Sequence, residues 1–400
     1  MRLLYCSFII LAVLFQSILS AAIIELPDLV RESNKVISVS FDCNDPEYDK
    51  IGKIAFKIHG AYRLVSPKES EFMVQMAVLK DGSVGLRVLS EGTIVHESKK
   101  RLNDTYKSFL NLLDKAVEIT GSQDNLVGFY SGQFAFVGNR GDAPELYVSD
   151  LFFNQIQQIT SDKALLIRPK WSSDGRSLLF TSYYKSGFPD LFEMNLVTGK
   201  RNTIAAFKGT NSGGVYSPIG DKVAMTLSND GNSDLYSLDL NTRNLKRLAK
   251  TKALESSPSW SPDGKQIVFV SDSLGSPQLY IINSKGGTMK RIKTNISRYC
   301  TEPEWNPIDE NLIVYTASIS GRFQIILHSL KTGESTQLTS VAGGALQASW
   351  MPDGRHIVFT ERIKDSTRLV LLDSITKKIS PLHSMSFGEA SGASFTKGFE

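Results

Sequence analysis

Apolar and polar residues alternate in short runs along most of the chain, and beyond residue 134 these runs recur at a fixed spacing. Six runs resembling DLYSLDL begin their apolar part 44 to 46 residues apart, at Leu146, Leu191, Leu235, Leu279, Ile325 and Leu369. Aromatic residues keep the same period at Trp171, Tyr216, Trp260, Trp305 and Trp350. Periods of this size are typical of repeat architectures, so the pattern predicts one repeated unit over residues 134–395.

Each repeat has the pattern of four short strands separated by turns. In the unit SPSWSPDGKQIVFVSDSLGSPQLYIINSKGGTMKRIK, the pair Asp263-Gly264 predicts a hairpin turn, because glycine accepts a positive φ without steric cost. The runs 266–271 and 278–283 are rich in β-branched and aromatic residues. Four antiparallel strands in about 45 residues correspond to one blade of a β-propeller.

The C-terminal segment is expected to close the ring. Phe395 lies 45 residues beyond Trp350, whereas the first unit begins at its second strand, FAFV. We therefore expect residues near Phe395 to supply the innermost strand of the first blade. The prediction is an all-β six-bladed propeller over residues 133–400, and closure of this kind removes open sheet edges.

The region before the repeats predicts a small α/β domain over residues 34–120, joined to the propeller by residues 121–132. A strand is expected over 35–42, a helix over 48–62, and two strands over 71–90 around Asp81-Gly82. The run GTIVHESKK extends this sheet. A second helix is expected over 105–119, with its apolar residues at a helical spacing.

The first residues resemble an export signal. A basic residue, an apolar run (FIILAVLF) and the small residues Ser20-Ala21-Ala22 predict a signal peptide over residues 1–22. A membrane anchor would need about 20 apolar residues, and polar residues interrupt this run. Residues 23–33 are expected to form a flexible arm. Cys43 and Cys300 are predicted to be free thiols, since they lie in different regions.

Composition narrows the possible functions. The chain carries 45 basic and 41 acidic residues, so its net charge of +4 does not indicate a nucleic-acid binder. Catalytic and metal-binding motifs such as G-x-S-x-G, H-E-x-x-H, C-x-x-C and the P-loop are missing from the sequence. The prediction is a binding protein that is not an enzyme and needs no cofactor or metal.

Binding is expected on one face of the ring. The loops that lead into the innermost strands lie on the same face as the loops between second and third strands, around the channel mouth. These loops vary among the repeats (GTNSGG, LESS, SRYCTE and GGALQ), whereas WSPDG recurs. A variable rim on a repeated scaffold is typical of a recognition surface.

The segments PSWSPDGKQIVFVSD and PEWNPID, together with the order of domains, resemble the TolB family of the Tol-Pal system. The resemblance covers nearly the whole chain and implies a monomeric periplasmic adaptor that supports outer-membrane integrity and constriction during cell division. It implies that the channel mouth binds the peptidoglycan-associated lipoprotein Pal. It also implies that the arm, including Ile23, Ile24, Glu25 and Leu26, binds TolA of the inner-membrane complex.

Rim geometry and this resemblance together predict a set of partner-binding residues: Thr210, Asn211, Gly213, Ser256, Ser257, Arg298, Thr301, Glu302 and Gln347. The chain departs from the family in carrying Ser256-Ser257-Pro258 where a T-E-P segment is usual, and Thr301-Glu302-Pro303 follows one blade later. Two other functions remain open: a sensor of a small ligand or glycan in the channel, and a propeller remnant of a prolyl-oligopeptidase-like hydrolase.

Overall fold

A computed structural model of the chain describes residues 36–141, 143–229 and 231–398. The predicted signal peptide and the predicted arm both lie outside the described residues.

The first part is an α/β domain built on a five-stranded sheet. Its elements are β1 (Ile37–Cys43), α1 (Pro46–Ile58), β2 (Tyr62–Leu64), β3 (Phe72–Val78), β4 (Val84–Ser90), β5 (Thr93–Lys100) and α2 (Thr105–Thr120), followed by a 3-10 turn (Ser122–Asp124). The sheet order is β2-β1-β3-β4-β5, with β1 parallel to both of its neighbours. Within the described residues, neither helix is both long and apolar enough to cross a membrane.

The first helix is shorter than the sequence pattern predicts. Asp45 caps α1 by accepting hydrogen bonds from the N–H groups of Glu47 and Tyr48. The helix ends at Ile58, because His59 adopts an extended backbone conformation and Gly60 follows it. Residues beyond the end of the helix then form β2, a parallel edge strand at a place where the apolar spacing predicted helix.

The remaining strands form six sheets of four. The first blade contains β6 (Gln133–Asn139), β7 (Glu145–Asp150) and β8 (Ile156–Gln158), and its fourth strand comes from the end of the chain. The second blade contains β9 (Leu166–Trp171), β10 (Ser177–Ser182), β11 (Asp190–Asn195) and β12 (Arg201–Ala205); the third contains β13 (Asn211–Tyr216), β14 (Lys222–Leu227), β15 (Asp234–Asp239) and β16 (Leu245–Arg247); the fourth contains β17 (Glu255–Trp260), β18 (Gln266–Ser271), β19 (Gln278–Asn283) and β20 (Lys290–Arg291). The fifth blade contains β21 (Cys300–Trp305), β22 (Leu312–Ile319), β23 (Arg322–Ser329) and β24 (Ser335–Gln337), and the sixth contains β25 (Ala345–Trp350), β26 (His356–Ile363), β27 (Ser366–Asp373) and β28 (Ile379–Pro381). A short 3-10 turn (Met385–Phe387) leads to β29 (Glu389–Thr396).

The last strand closes the ring, as the spacing predicts. β29 pairs antiparallel with β6 and completes the first blade in the order β29-β6-β7-β8. Phe395 lies opposite Phe134, and the centroids of their rings are 4.8 Å apart. The predicted fold, an α/β domain followed by a six-bladed propeller closed by its C-terminal strand, is confirmed.

Repeated side chains hold neighbouring blades together. The indole N–H of Trp260 donates to the carbonyl of Val215 in the preceding blade, and that of Trp350 donates to the carbonyl of Glu304, each at 3.2 Å. Trp260, Trp305 and Trp350 are buried. These tryptophans therefore pack between blades, as their repeat positions indicate.

The α/β domain and the first and last blades share one hydrophobic core. The core joins Phe56 and Phe109 of the domain to Phe134, Leu369 and Phe395 of the propeller. We call the side of the ring that carries the SPDG-type turns the turn face, and the side with the loops leading into innermost strands the rim face. The domain packs against the turn face at the sixth blade, which leaves the rim face uncovered by it.

Candidate docking face and central channel

Every innermost strand of the ring carries a left-handed residue at the same position. In β17 the register shifts between Ser256 and Ser259, and Ser257 has φ 51°. The equivalent residues of the six blades all have positive φ: Arg168, Gly213, Ser257, Glu302, Gln347 and Gly392. Four of them are not glycine, although this backbone conformation costs other residues about 1–2 kcal/mol. A strained conformation repeated around a channel suggests a function for these positions.

The sequence contains a signal for this ring of six residues. Each one lies three positions before the aromatic marker of its blade, as Ser257 precedes Trp260. The spacing is visible without a structure. The backbone conformation is not, because arginine, serine, glutamate and glutamine have no strong preference for positive φ.

Two ion pairs cross the channel between opposite blades. Arg168 of the second blade pairs with Glu302 of the fifth, and Lys170 pairs with Glu304 in the same two blades. The second carboxylate oxygen of Glu302 accepts the N–H of Gln347 at 2.8 Å. Burial lowers the pKa of Arg168 to about 10, so its guanidinium stays protonated at neutral pH. These four charged side chains therefore extend across the channel, and we call them the charged wall.

A cavity of about 550 Å³ lies between this wall and the innermost strands of the third and fourth blades. It exists because Gly213, Gly214 and the serines of β17 have small side chains there. Its volume falls within the range of about 300–1,000 Å³ that is usual for small-molecule pockets. Of the predicted partner-binding residues, five line the cavity: Gly213, Ser256, Ser257, Glu302 and Gln347. Their contact with a partner stays a prediction.

The other predicted residues lie elsewhere on the rim face. Arg298 is exposed on the loop leading into β21, and its carbonyl accepts hydrogen bonds from Ser276 and Gln278. Thr210 and Thr301 are half-buried, and the N–H of Thr210 donates to the Ser228 hydroxyl. Thr210 and Arg298 thus lie on loops of the rim face, whereas Thr301 lies in β21, the innermost strand of the fifth blade, without lining the cavity.

The side chain of Asn211 is bonded within the protein. It is fully buried, and its amide nitrogen donates to the carbonyls of Pro189 and Phe207, while its amide oxygen accepts the N–H of Phe207. The side chain holds together two loops of neighbouring blades. Asn211 is one of the predicted partner-binding residues; its side chain is bonded within the protein, and its contact with a partner stays a prediction.

The rim face carries an arc of exposed apolar side chains that we did not predict from the sequence. Seven side chains on the loops of the second to fifth blades are between 41% and 63% exposed: Leu165, Tyr184, Phe188, Phe207, Leu254, Leu274 and Tyr299. We call this set the apolar arc. Exposed apolar patches on soluble proteins often mark interaction sites. The available signal was apolar residues placed inside turn segments such as SGFP and SLGSP.

A buried pair of carboxyl groups lies beneath the rim, between the third and fourth blades. Asp234 and Glu255 are both fully buried, and Arg247 forms an ion pair with Asp234. The Thr251 hydroxyl donates to Glu255 at 2.6 Å. Burial, reinforced by the neighbouring carboxylate of Asp234, raises the pKa of Glu255 to about 7. Glu255 therefore titrates near neutral pH directly below Ser256 and Ser257.

A second buried polar cluster joins the α/β domain to the sixth blade. Atoms of His59, His356 and Asp373 that could bind a metal all lie within 4.8 Å of one another. Most of these atoms have protein partners: Nδ1 of His59 accepts the Ala61 N–H, Nδ1 of His356 is hydrogen-bonded to Asp353, and Asp373 accepts the Arg355 Nε–H at 2.7 Å. Nε2 of His59 is buried without a hydrogen-bond partner among the described residues. Burial and the nearby His356 lower the pKa of His59 well below its usual value. This bonding describes an interdomain contact better than a metal site.

Comparison with known proteins places this geometry in context. Residues 118–396 match the PD40 family, described as the TolB beta propeller domain. The chain is 26% identical over 194 residues to the Tol-Pal system protein TolB of Alcanivorax borkumensis, covering 46% of this chain and 45% of that protein. It is 35% identical over 105 residues to the protein of the same name from Desulfosudis oleivorans, covering 26% and 24%. The aligned stretches thus span less than half of these relatives.

Solved structures show the same architecture over a longer range. The crystal structure of TolB from Acinetobacter baumannii matches with a TM-score of 0.81 at 20% identity, covering 91% of this chain and 97% of that one. The structure of a TolB from Agrobacterium tumefaciens matches with a TM-score of 0.51 at 19% identity, covering 65% and 91%. At these identities the likeness concerns the fold.

Proposed function

Because the chain belongs to the TolB beta propeller family, we propose that it is a non-catalytic adaptor of a Tol-Pal system in the periplasm. Its curated relatives carry the name Tol-Pal system protein TolB. In this proposal the rim face binds the peptidoglycan-associated lipoprotein Pal, and the complex supports outer-membrane integrity and constriction during cell division.

The observation that carries the proposal is the apolar arc beside a polar channel mouth. Apolar side chains such as Phe188 and Leu274 supply contact area, whereas Ser256, Ser257 and Gln347 supply hydrogen-bonding groups at the centre. Protein interfaces typically combine apolar contact area with about one hydrogen bond per 100–200 Å². The rim face has both components, and the α/β domain leaves it accessible.

Bulky substitution on the rim face tests the proposal. Ser257→Trp is expected to abolish binding of the soluble domain of Pal from the same genome, measured by calorimetry, because it fills the channel mouth. Ser257 already has positive φ as a residue with a side chain, so its replacement is less strained than a replacement of Gly213 (φ 67°). Lys265→Trp on the turn face is the matched control. Pal binding that survives Ser257→Trp but is lost in the control would contradict the proposal.

The N-terminal arm is proposed to bind TolA. Ile23, Ile24, Glu25 and Leu26 belong to an apolar segment, IIELPDLV, in which Pro27 prevents pairing inside a sheet. Removal of residues 23–33 from the exported protein should abolish capture of TolA and leave Pal binding unchanged. Equal capture of TolA by both proteins would contradict this assignment, and cell fractionation of the full chain tests the periplasmic location.

A second candidate function rests on the cavity in the channel. Its charged wall of Arg168, Lys170, Glu302 and Glu304 faces small polar residues, an arrangement suited to a ligand with several hydrogen-bonding groups. The candidate is a sensor of a small ligand or glycan. Calorimetry with soluble peptidoglycan fragments separates the two functions, because the sensor binds fragments without Pal and the adaptor binds Pal without fragments.

A further inference from the structure

The rim face of the second to fifth blades has an excess of basic residues that the turn face lacks. Its loops contain seven basic and three acidic residues: Lys163, Lys185, Lys208, Lys250, Lys252, Lys293 and Arg298, against Asp162, Asp230 and Asp272. The turn-face loops of the same blades contain six of each: Arg176, Lys200, Arg243, Lys265, Lys285 and Lys331, against Asp174, Asp221, Asp263, Asp309, Glu310 and Glu334. The small positive net charge of the chain is therefore unevenly distributed over the propeller.

Internal contacts occupy two of the three acidic groups on the rim face. Asp162 forms an ion pair with Arg201 at 2.7 Å, and its side chain is almost buried. Asp272 accepts the N–H of Leu254 at 2.8 Å and so holds the loop leading into β17. Asp230 lies outside the described residues. Lys208, Lys250 and Arg298, by contrast, are exposed.

These charges alternate with the apolar arc along the same loops. Phe207 precedes Lys208, Leu254 follows Lys250 and Lys252, and Arg298 precedes Tyr299. We propose that the partner bound at the rim face is a protein that presents apolar side chains bordered by acidic residues. The proposal rests on the proposed docking function and adds the chemistry of the partner: charge complementarity would supply fast association, and the apolar arc would supply contact area.

A protein fits this face better than an anionic membrane does. The loops that carry the apolar arc are short and closely bonded, as Leu254 exchanges hydrogen bonds with Asp272, and the Ser297 hydroxyl accepts the N–H of Tyr299. Membrane-inserting segments bury their apolar side chains about 5–10 Å deep, which such short turns do not allow. The recessed polar channel mouth would also stay unpaired against a lipid surface.

Charge reversal on one face at a time tests the inference. The rim variant carries Lys208→Glu, Lys250→Glu and Arg298→Glu, and the control carries Lys200→Glu, Lys285→Glu and Lys331→Glu on the turn face. All six side chains are exposed, and both variants change the net charge equally. The dissociation constant for soluble Pal is measured by calorimetry at 50 and 300 mM NaCl, and melting temperatures confirm that the variants fold.

The expected result is that raising the salt weakens binding of the unmodified protein by roughly tenfold or more, since salt screens exposed charges. The rim variant should bind at least about a hundredfold more weakly with little salt dependence, and the control should stay within about threefold of the unmodified protein. Equal affinities and salt dependences of the two variants would overturn the inference while leaving the adaptor function intact. Failure of the unmodified protein to bind Pal would overturn both, and binding to phosphatidylglycerol vesicles in its place would assign the face to a membrane.

Discussion

At the residue scale, Glu302 combines a strained backbone with bonds to two other blades. Its φ is 55°, and its carboxylate bonds Arg168 across the channel and the Gln347 N–H in the next blade. Such a side chain stabilises the ring only while it is charged, because its loss leaves a partly buried guanidinium without a counter-ion. At Arg168 and Glu302, the positive-φ conformation is thus accompanied by an ion pair across the channel.

Glu302→Gln should therefore lower the free energy of unfolding by about 1–3 kcal/mol at pH 7. The matched control is Glu97→Gln, which removes an ion pair with Arg87 between two largely exposed side chains and should cost about 0–1 kcal/mol. Chemical denaturation measures both. Equal losses in the two variants would show that the cross-channel pair is no stronger than a surface pair.

Glu255 predicts a pH dependence of stability. Its pKa in the folded protein, about 7, lies above its ordinary value of 4.5, so the folded state binds the proton more tightly. The contribution of Glu255 to the free energy of unfolding should grow as the pH falls through 7 and reach its full value below 4.5. Above pH 7 this contribution should be absent. Relative to Glu255→Gln, the unmodified protein should gain on the order of 1 kcal/mol per pH unit between pH 7 and 5.

Denaturation of both proteins across this range measures the difference, and the same substitution at the exposed Glu334 serves as control. Parallel pH profiles of the unmodified protein and Glu255→Gln would contradict the assignment. Because Glu255 lies below Ser256 and Ser257, a confirmed difference would also connect the protonation of this carboxyl to the rim face.

At the element scale, strand β29 closes the ring through Phe395. The ring of Phe395 is buried against Phe134 and also fills the space beside Gly132. Phe395→Ala should cost about 3–5 kcal/mol, as large-to-small changes in protein cores do. Phe207→Ala, at an exposed position on the rim face, should cost much less.

Deletion of residues 390–400 should lower the melting temperature further, and a truncated protein with unchanged melting temperature would refute closure by this strand.

Elements differ in how clearly the sequence predicts them. The 44-to-46-residue period identifies every blade, because each blade must present the same apolar residues to the same neighbours. Strand β2 was hidden, since Tyr62 continues the apolar spacing of α1 beyond the extended backbone of His59 that ends the helix. Gly60, which follows, lies so close to Asp373 of the sixth blade that a side chain would not fit there. The burial of Asn211 was hidden for a similar reason, because its side chain bonds Pro189 of the preceding blade as well as Phe207 of its own loop.

At the scale of the whole molecule, the strand topology predicts where the rim face lies, but it does not predict which side chains are exposed there. Alternating strands place the loops of six blades on one side of the ring whatever their sequence. The apolar arc depends on which side chains the loops leave exposed, as for Phe188 and Leu274. The ion pair of Arg168 with Glu302 joins residues 134 positions apart, and a repeat pattern contains no information about such pairs.

The shared core predicts how the described part of the chain unfolds. The α/β domain has no separate core, because Phe56 and Phe109 pack in the same cluster as Phe134, Leu369 and Phe395 of the first and sixth blades. Polar contacts reinforce the junction: the Tyr130 hydroxyl donates to the Ala55 carbonyl, and Asp114 accepts the N–H groups of Tyr130 and Ser131. Loss of either part would expose apolar surface of the other.

We therefore expect one cooperative thermal transition at pH 7.5, with a calorimetric enthalpy equal to the van't Hoff enthalpy. Asp114→Ala should lower the temperature of that single transition without splitting it, because the junction and the first blade unfold together. Asp309→Ala, on a turn-face loop away from the junction, is the control and should change the melting temperature little. Two resolved transitions in the unmodified protein, one of which responds to Asp114→Ala alone, would show that the domain and the propeller unfold independently.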